Sequence, residues 1–250
     1  MLPNILVLAT HGSWYVPWVI RPFLSREFRK DDYRLLKNFS DFATSELIRC
    51  VPEEQRISCW FSRAIGDPNR DARAKDVFRD QDFNGICIWG PRIPGALKRY
   101  LLRRYHQNYH RLVKTAIAQR EKQGDVFVLD LHDTGVYLLN KKGKEKRKEG
   151  FPGICLSNYD NQSSTERFLK HLAKLFEKQF GIRPSLNHPY KGGYVTQHYG
   201  IGYPKRQIVQ VEFSRDLYMD ENRQIIYHDK IAEVRSKLCA VLDEISESFK

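Results

Sequence analysis

The sequence predicts an α/β fold built on buried parallel strands. Four short β-rich and mainly apolar runs, residues 5–9, 57–61, 126–131 and 207–213, read as buried parallel strands. Long helical or irregular stretches separate them, which suits crossover connections between parallel strands. Residues able to do chemistry follow the runs, and open α/β sheets bind ligands outside the carboxyl ends of their strands.

In chain order, ILVLA at 5–9 is the first strand, and Thr10-His11-Gly12-Ser13 follows it. A helix is expected over 41–49. The second strand, 57–61, leads into Arg63 and Asp67-Pro68-Asn69-Arg70. Residues 86–89 and 153–156 read as additional edge strands, and 95–122 as a long helix. The third strand, 126–131, ends in His132-Asp133-Thr134-Gly135. The helix over 164–180 repeats Phe168, Leu172, Leu175 and Phe176 on one face; Ser163-Ser164-Thr165-Glu166 offers its N-cap and Gly181 its stop. The fourth strand, 207–213, has Glu212 at its end and Arg215 just beyond. Ile231, Val234, Leu238, Leu242 and Ile245 mark a last helix over 229–249. The run KKGKEKRKEG at 141–150 reads as a solvated, mobile loop, with an RNA or phosphate contact as the other reading. No repeat and no Pro/Ser/Gly linker divides the chain, so one domain over 1–250 is expected.

Composition excludes several classes. Of 250 residues, 41% are hydrophobic and 12% aromatic, too many for a disordered chain. No apolar run approaches the roughly 20 residues of a membrane helix. The N-terminus has no basic stretch, long apolar segment or cleavage site of a signal peptide, so a cytoplasmic protein without a membrane partner is expected. Five scattered cysteines, none in a C-x-x-C pair, suggest free buried thiols rather than a disulfide frame or zinc ribbon. The formal charge of +12 favours anionic partners, either nucleic acid or a small acidic substrate.

His11 and His132 stand at equivalent strand ends. A lone strand-end histidine is by default structural; two of them, with a carboxylate, make an open zinc site. Asp130 shares the face of His132 and either orients that ring or is a buried hydrogen-bonded Asp. Asp133 is a weaker candidate. Glu212 closes an apolar run, where desolvation raises a carboxyl toward general-base range; the alternative is a salt bridge to Arg215. The Asn69-Arg70 guanidinium can fork onto a carboxylate, and Lys191-Gly192-Gly193-Tyr194 lets backbone approach a ligand. His106 and His110 lie four apart on a helix without the glutamate of a metalloprotease pair, so a solvent or packing role is expected of them.

Taken in order, the motifs resemble the N-formylglutamate amidohydrolase family. They are Thr10-His11-Gly12 with Pro17, Ser40-Asp41-Phe42-Ala43-Thr44-Ser45-Glu46-Leu47, Ser62-Arg63 leading to Asn69-Arg70, Tyr109-His110, and Asp130-Leu131-His132-Asp133. The two most specific blocks are Asn187-His188-Pro189-Tyr190-Lys191-Gly192-Gly193-Tyr194 and Gln210-Val211-Glu212-Phe213-Ser214-Arg215-Asp216-Leu217-Tyr218-Met219. The resemblance implies a mixed, mainly parallel sheet flanked by helices, like that of the zinc exopeptidases (phosphorylase/hydrolase-like). It implies one zinc per chain, held by His11, His132 and Asp41; the carboxypeptidase glutamate position is Trp14 here, and Asp41 matches the family's acidic position near the start of the next helix. It implies Glu212 as general base, and Asn69, Arg70 and Arg215, with Gly193 and Tyr194, around a small acidic N-acyl amino acid. The chain departs from the family pattern in its His-Gly-Ser order and in the lysine-rich insertion after Tyr137. Neither departure removes an expected ligand. Two rivals stand: another zinc amidase or carboxypeptidase-like peptidase, and a catalytically inactive basic nucleic-acid-binding protein. No RRM, KH or helix-turn-helix signature supports the second, so nucleic acid is not the expected partner.

Overall fold

The structure is a computed structural model that describes residues 4–30, 33–135, 137–139, 145–147, 152–220 and 225–248, with 137–139 and 145–147 described by backbone alone. A six-stranded sheet organises it. Its strands are β1 (Ile5–Ala9), β2 (Arg56–Ser58), β3 (Val126–Thr134), β6 (Ile154–Ser157), β7 (Ser185–Leu186) and β8 (Arg206–Ser214), in the spatial order β2-β1-β3-β8-β6-β7. The pairs β2–β1, β1–β3 and β3–β8 are parallel; β6 runs antiparallel to β8 and parallel to β7. The sheet is therefore mixed and mainly parallel, as expected. Two small antiparallel pairs lie apart from it: β4 (Tyr137–Leu139) with β5 (Glu145–Arg147), and β9 (Met219–Asp220) with β10 (Ile225–Ile226).

The mainly apolar character of the strands has its reason: helices cover both faces. On β1, Ile5, Val7 and Ala9 face one core while Leu6 and Leu8 face the other. On β3, Phe127, Leu129 and Leu131 join the first core, Val126 and Val128 the second. The first core is closed by α6 (Glu166–Phe180), whose Thr165 hydroxyl accepts from the Phe168 N–H and whose Gly181 stops it at φ 66°, together with α8 (His228–Ser248). The second is closed by α4 (Gly95–Leu101) and α5 (Gln107–Glu121), joined through one π-helical turn at Leu102–His106.

Several expectations need correction. The second strand spans Arg56–Ser58, not 57–61, because the chain turns away into a short 3₁₀ turn at Arg63–Ile65. Residues 86–89 are not a strand; Trp89 and Cys87 make only single bridges, to Leu24 and Gln81. The 153–156 strand is not at the edge, since β7 pairs beyond it. The helix at 41–49 is shorter, α3 (Thr44–Leu47), running on into a 3₁₀ turn at Ile48–Cys50. Helices α1 (Arg26–Arg29), α2 (Arg34–Phe39) and α7 (Tyr194–Gly200) have no counterpart in the sequence reading. Part of the 141–150 run pairs as β5; the rest of that expectation lies outside the described residues. All five cysteines are free, but only Cys59 and Cys155 are buried, and Cys87 is exposed. Among the described residues, no helix is long and apolar enough to cross a membrane.

Candidate active site

The site lies at the carboxyl ends of β1, β3 and β8, on the floor of a cleft of about 810 Å³. Register alone brings the first pieces together. β1 ends beside β3, and β3 sets His132 opposite Glu212 of β8. His11 sits just past the end of β1. Asp41 is delivered by the turn before α3, whose backbone is tied to the end of β1 by the Asp41 N–H donating to the His11 carbonyl at 2.9 Å. The Thr44 hydroxyl donates to the Asp41 carbonyl at 2.7 Å and fixes the same turn.

His11, Asp41 and His132 are all buried and converge. Asp41 Oδ2 lies 3.2 Å from His11 Nδ1 and 2.8 Å from His132 Nδ1. Behind each ring stands a second carboxylate: Asp67 Oδ1 is 2.7 Å from His11 Nε2, and Asp130 Oδ2 is 2.9 Å from His132 Nε2. Those two acceptors anchor the Nε2–H of both rings, which turns both Nδ1 atoms toward Asp41, where they donate to its carboxylate and would give up that proton to hold a metal. Two imidazole nitrogens and one carboxylate oxygen, all within 4.8 Å of one another, fit a zinc-type donor set with room for a further ligand. Asp130 is fully buried, accepts from Thr10 through Oδ1 and lies against His132 Nε2 through Oδ2, a placement that suits both readings of it.

Electrostatics follow the geometry. Burial opposes ionisation of Asp41, but the charge of His11 and hydrogen bonds from both imidazoles outweigh it and hold the carboxyl well below its usual range. Burial likewise opposes ionisation of Asp67, and Arg63 with His11 overcomes it. Burial would lower His132, yet Asp130 and Asp41 raise it well above an ordinary histidine. At Glu212 burial wins: opposed by His132 and Arg63 and reinforced by Asp41 and Asp133, it pushes the carboxyl up to about 7. Its Oε1 accepts from the Gln210 amide at 2.8 Å, and Gln210 in turn accepts the Gly193 N–H at 2.7 Å.

The remaining expected residues divide. Asn69, Arg70 and Gly193 line the cleft. The Asn69 amide occupies the space a Cβ on Gly193 would need, and accepts the Val195 N–H at 2.9 Å, so glycine is required there by close approach. Tyr194 does not line the cleft; it stacks on His198 at 4.8 Å and faces His110, because α7 starts there and turns the ring away. Arg215 reaches the cleft wall, but its three nitrogens already donate to Asp133 Oδ1 at 2.5 Å, the Asn38 carbonyl at 2.9 Å and the Ser40 carbonyl at 2.5 Å. Its ion pair is with Asp133 rather than Glu212, and it braces the turn that delivers Asp41. His106 and His110 pack as expected: Nε2 of each lies 2.9 Å from a loop carbonyl, Arg70 and Pro68 respectively. Asp67, Gln210 and the positioning role of Arg63, whose guanidinium bonds Asp67 Oδ2 at 2.8 Å, escaped the sequence reading. Strand-end position could have flagged Arg63 and Gln210; the Asp67–His11 pair spans 56 residues and left no local signal.

Comparison with known proteins adds a family pattern. That of N-formylglutamate amidohydrolase matches residues 4–219. The N-formylglutamate deformylase of Pseudomonas putida is 25% identical over 189 residues, covering 71% of this chain and 68% of its own. That of Pseudomonas aeruginosa is 24% identical over 204 residues, covering 77% and 74%. The solved N-formylglutamate amidohydrolase from Ralstonia eutropha JMP134 superposes with a TM-score of 0.73 at 20% identity, over 98% of this chain and 93% of its own. A gene product from Agrobacterium tumefaciens gives 0.72 at 16%, over 98% and 91%. At those identities the two solved structures speak for the fold.

Proposed function

The chain belongs to the N-formylglutamate amidohydrolase family, and on that premise we propose that it is a metal-dependent hydrolase of the formamide bond of N-formylglutamate. The observation that carries the metal dependence is the convergence of His11 Nδ1, Asp41 Oδ2 and His132 Nδ1 beside Glu212 on the cleft floor. Zinc suits this set because imidazole dominates it. When bound, one zinc ion per chain supplies Lewis acidity that polarises the formyl carbonyl and acidifies a water molecule.

The chain's own residues do the rest. Asp67 and Asp130 keep both rings in the tautomer that presents Nδ1. Glu212, raised to about 7, accepts the proton of the attacking water. Gln210 engages Oε1, which leaves Oε2 as the oxygen to take that proton. As the water oxygen bonds the formyl carbon and the C–N bond breaks, Glu212 passes its proton to the departing nitrogen, giving formate and glutamate. Arg63, buried between Asp67 and Asp41 and lining the cleft, offers positive charge to the developing oxyanion. Asn69 and Arg70 take a substrate carboxylate, with the Gly193 turn beside them. Five free cysteines agree with a reducing cytosolic setting.

The test combines metal content with formate release from N-formyl-L-glutamate, run beside N-acetyl-L-glutamate and a glutamyl dipeptide. About one zinc per chain is expected. It should be lost in His11→Ala and His132→Ala, with N-formylglutamate the preferred substrate. Glu212→Gln should keep the zinc and lose about 10²–10⁴ in kcat. Wild-type protein that neither holds nor takes up zinc, or that releases no formate, overturns the reading.

A further inference from the structure

Six basic side chains line the cleft: Arg34, Arg63, Arg70, Arg79, Lys191 and Arg215. Four of them have carboxylate partners within the protein. Arg63 pairs with Asp67, Arg70 with Asp76, Lys191 with Asp160 and Arg215 with Asp133. Arg34 also has an interaction within the chain. Arg79 differs. Among the described residues its guanidinium has no salt bridge, and its Nε–H is shut from solvent with no acceptor. A half-buried cation in that state is a group whose counter-ion the fold does not supply.

The local architecture presents Arg79 rather than hiding it. Arg79 enters a tight turn closed by the Gln81–Cys87 bridge. Asp82 Oδ1 accepts the Asn84 and Ile86 N–H groups at 2.9 Å each, and Gly85 takes φ +79°, which shapes the turn. Phe83, 56% exposed, stands at its tip. The Arg79 guanidinium lies 5.0 Å from the centroid of that ring, and the Arg63 guanidinium lies 5.2 Å from the same centroid. Arg63 is in turn 3.8 Å from Asp41 Oδ1. Arg79 therefore sits one aromatic ring beyond the reacting centre. Arg63 and Arg70 crowd it with like charge, which together with burial lowers its own affinity for a proton. An arriving anion relieves that repulsion.

We propose that Arg79, held on Phe83, is a second anion-binding point in the cleft, so that the ligand is a dicarboxylate with one carboxylate at Asn69–Arg70 and the other at Arg79. This rests on the amidohydrolase reading for its placement of the first carboxylate, and it names Arg79 as the residue that selects acidic over neutral N-acyl amino acids. A carboxylate forks onto a guanidinium through two parallel N–H donors, and a carboxamide of the same shape carries no charge to match.

The experiment compares glutarate with 4-carbamoylbutyrate, its near-isosteric monoamide, by titration calorimetry on the metal-loaded wild type, Arg79→Gln and Arg79→Lys. The wild type should bind glutarate about tenfold or more tighter than the monoamide, as a charge-assisted pair predicts. Arg79→Gln should bind the two alike, and Arg79→Lys should keep part of the preference. In kinetics, Arg79→Gln should raise KM for N-formyl-L-glutamate about tenfold, with kcat and the N-formyl-L-glutamine KM unchanged. No preference in the wild type, a preference retained in Arg79→Gln, or equal losses on both ligands overturns the assignment. If the preference follows Arg79 while the wild type releases no formate from either substrate, the binding point stands and the deformylase reading falls.

Discussion

Each imidazole of the centre stands between two carboxylates, which is why the pair can be positioned so tightly in the core. His11 has Asp41 and Asp67; His132 has Asp41 and Asp130. A carboxylate behind a ligating histidine fixes its tautomer and strengthens it as a donor, so Asp130→Asn should weaken zinc binding about 10–100-fold. Competition against a chromogenic chelator measures this, and circular dichroism checks the fold. An unchanged affinity would make Asp130 a plain core hydrogen bond to Thr10. His11, His132, Asp130 and Glu212 were legible because strand ends point to a common crevice and alternate residues share a face, whereas Asp41 was reached only through the family resemblance. What sequence could not give was pairing at a distance. By the resemblance Arg215 reads as a holder of the substrate carboxylate, yet the structure spends its donors on Asp133 and two carbonyls. Asp67 reads as a turn residue, yet it is fully buried between Arg63 and His11.

Among the elements, the long α4–α5 unit was read correctly in extent, but its purpose was not. Its π-helical turn ends at His106, and the next turn carries His110, with the two rings 4.5 Å apart. Both clasp the 68–70 loop that carries Asn69 and Arg70. His110 Nδ1 lies 2.8 Å from the Tyr199 hydroxyl of α7, so one helix residue ties that loop to the α7 segment behind Gly193. The short α7, YVTQHYG, lacks an apolar period of its own, and only its packing against the second core makes it helical. Burial and the nearby His106 lower His110 from 6.5 to about 3, with the Pro68 carbonyl working weakly the other way. The unfolded chain therefore takes up a proton near pH 6.5 that the folded chain refuses until about pH 3. Stability from this group is complete above pH 6.5 and is lost as pH falls below it. Between pH 7.5 and 5 the wild type should lose about 2 kcal/mol on this account. Urea midpoints at the two pH values for wild type and His110→Asn give the difference; an identical drop in both proteins would show that His110 titrates freely in the fold.

For the whole molecule, the parallel half of the sheet was legible and the antiparallel half was not. Strand β1 is wholly apolar, and β3 and β8 are mainly apolar and buried along nearly their whole length, a pattern that needs crossovers and helices on each side. β6 is four residues long, and nothing in ICLS states its direction or that β7 would pair outside it. The charge of +12 was equally ambiguous, and here the cleft decides how it is used. Most basic groups at the cleft are neutralised locally, so the remaining field acts at longer range on whatever approaches the opening. That field is screened as the Debye length shrinks from about 30 Å at 0.01 M salt to about 8 Å at 0.15 M. Raising salt across that interval should therefore raise KM for doubly charged N-formyl-L-glutamate several-fold. It should raise KM for singly charged N-formyl-L-glutamine less, and leave kcat unaltered, because the proton transfers of Glu212 occur on the buried floor where salt does not reach. Steady-state kinetics at constant pH in sodium chloride separate the two. A KM indifferent to salt for both substrates would mean that the surplus charge plays no part in substrate capture.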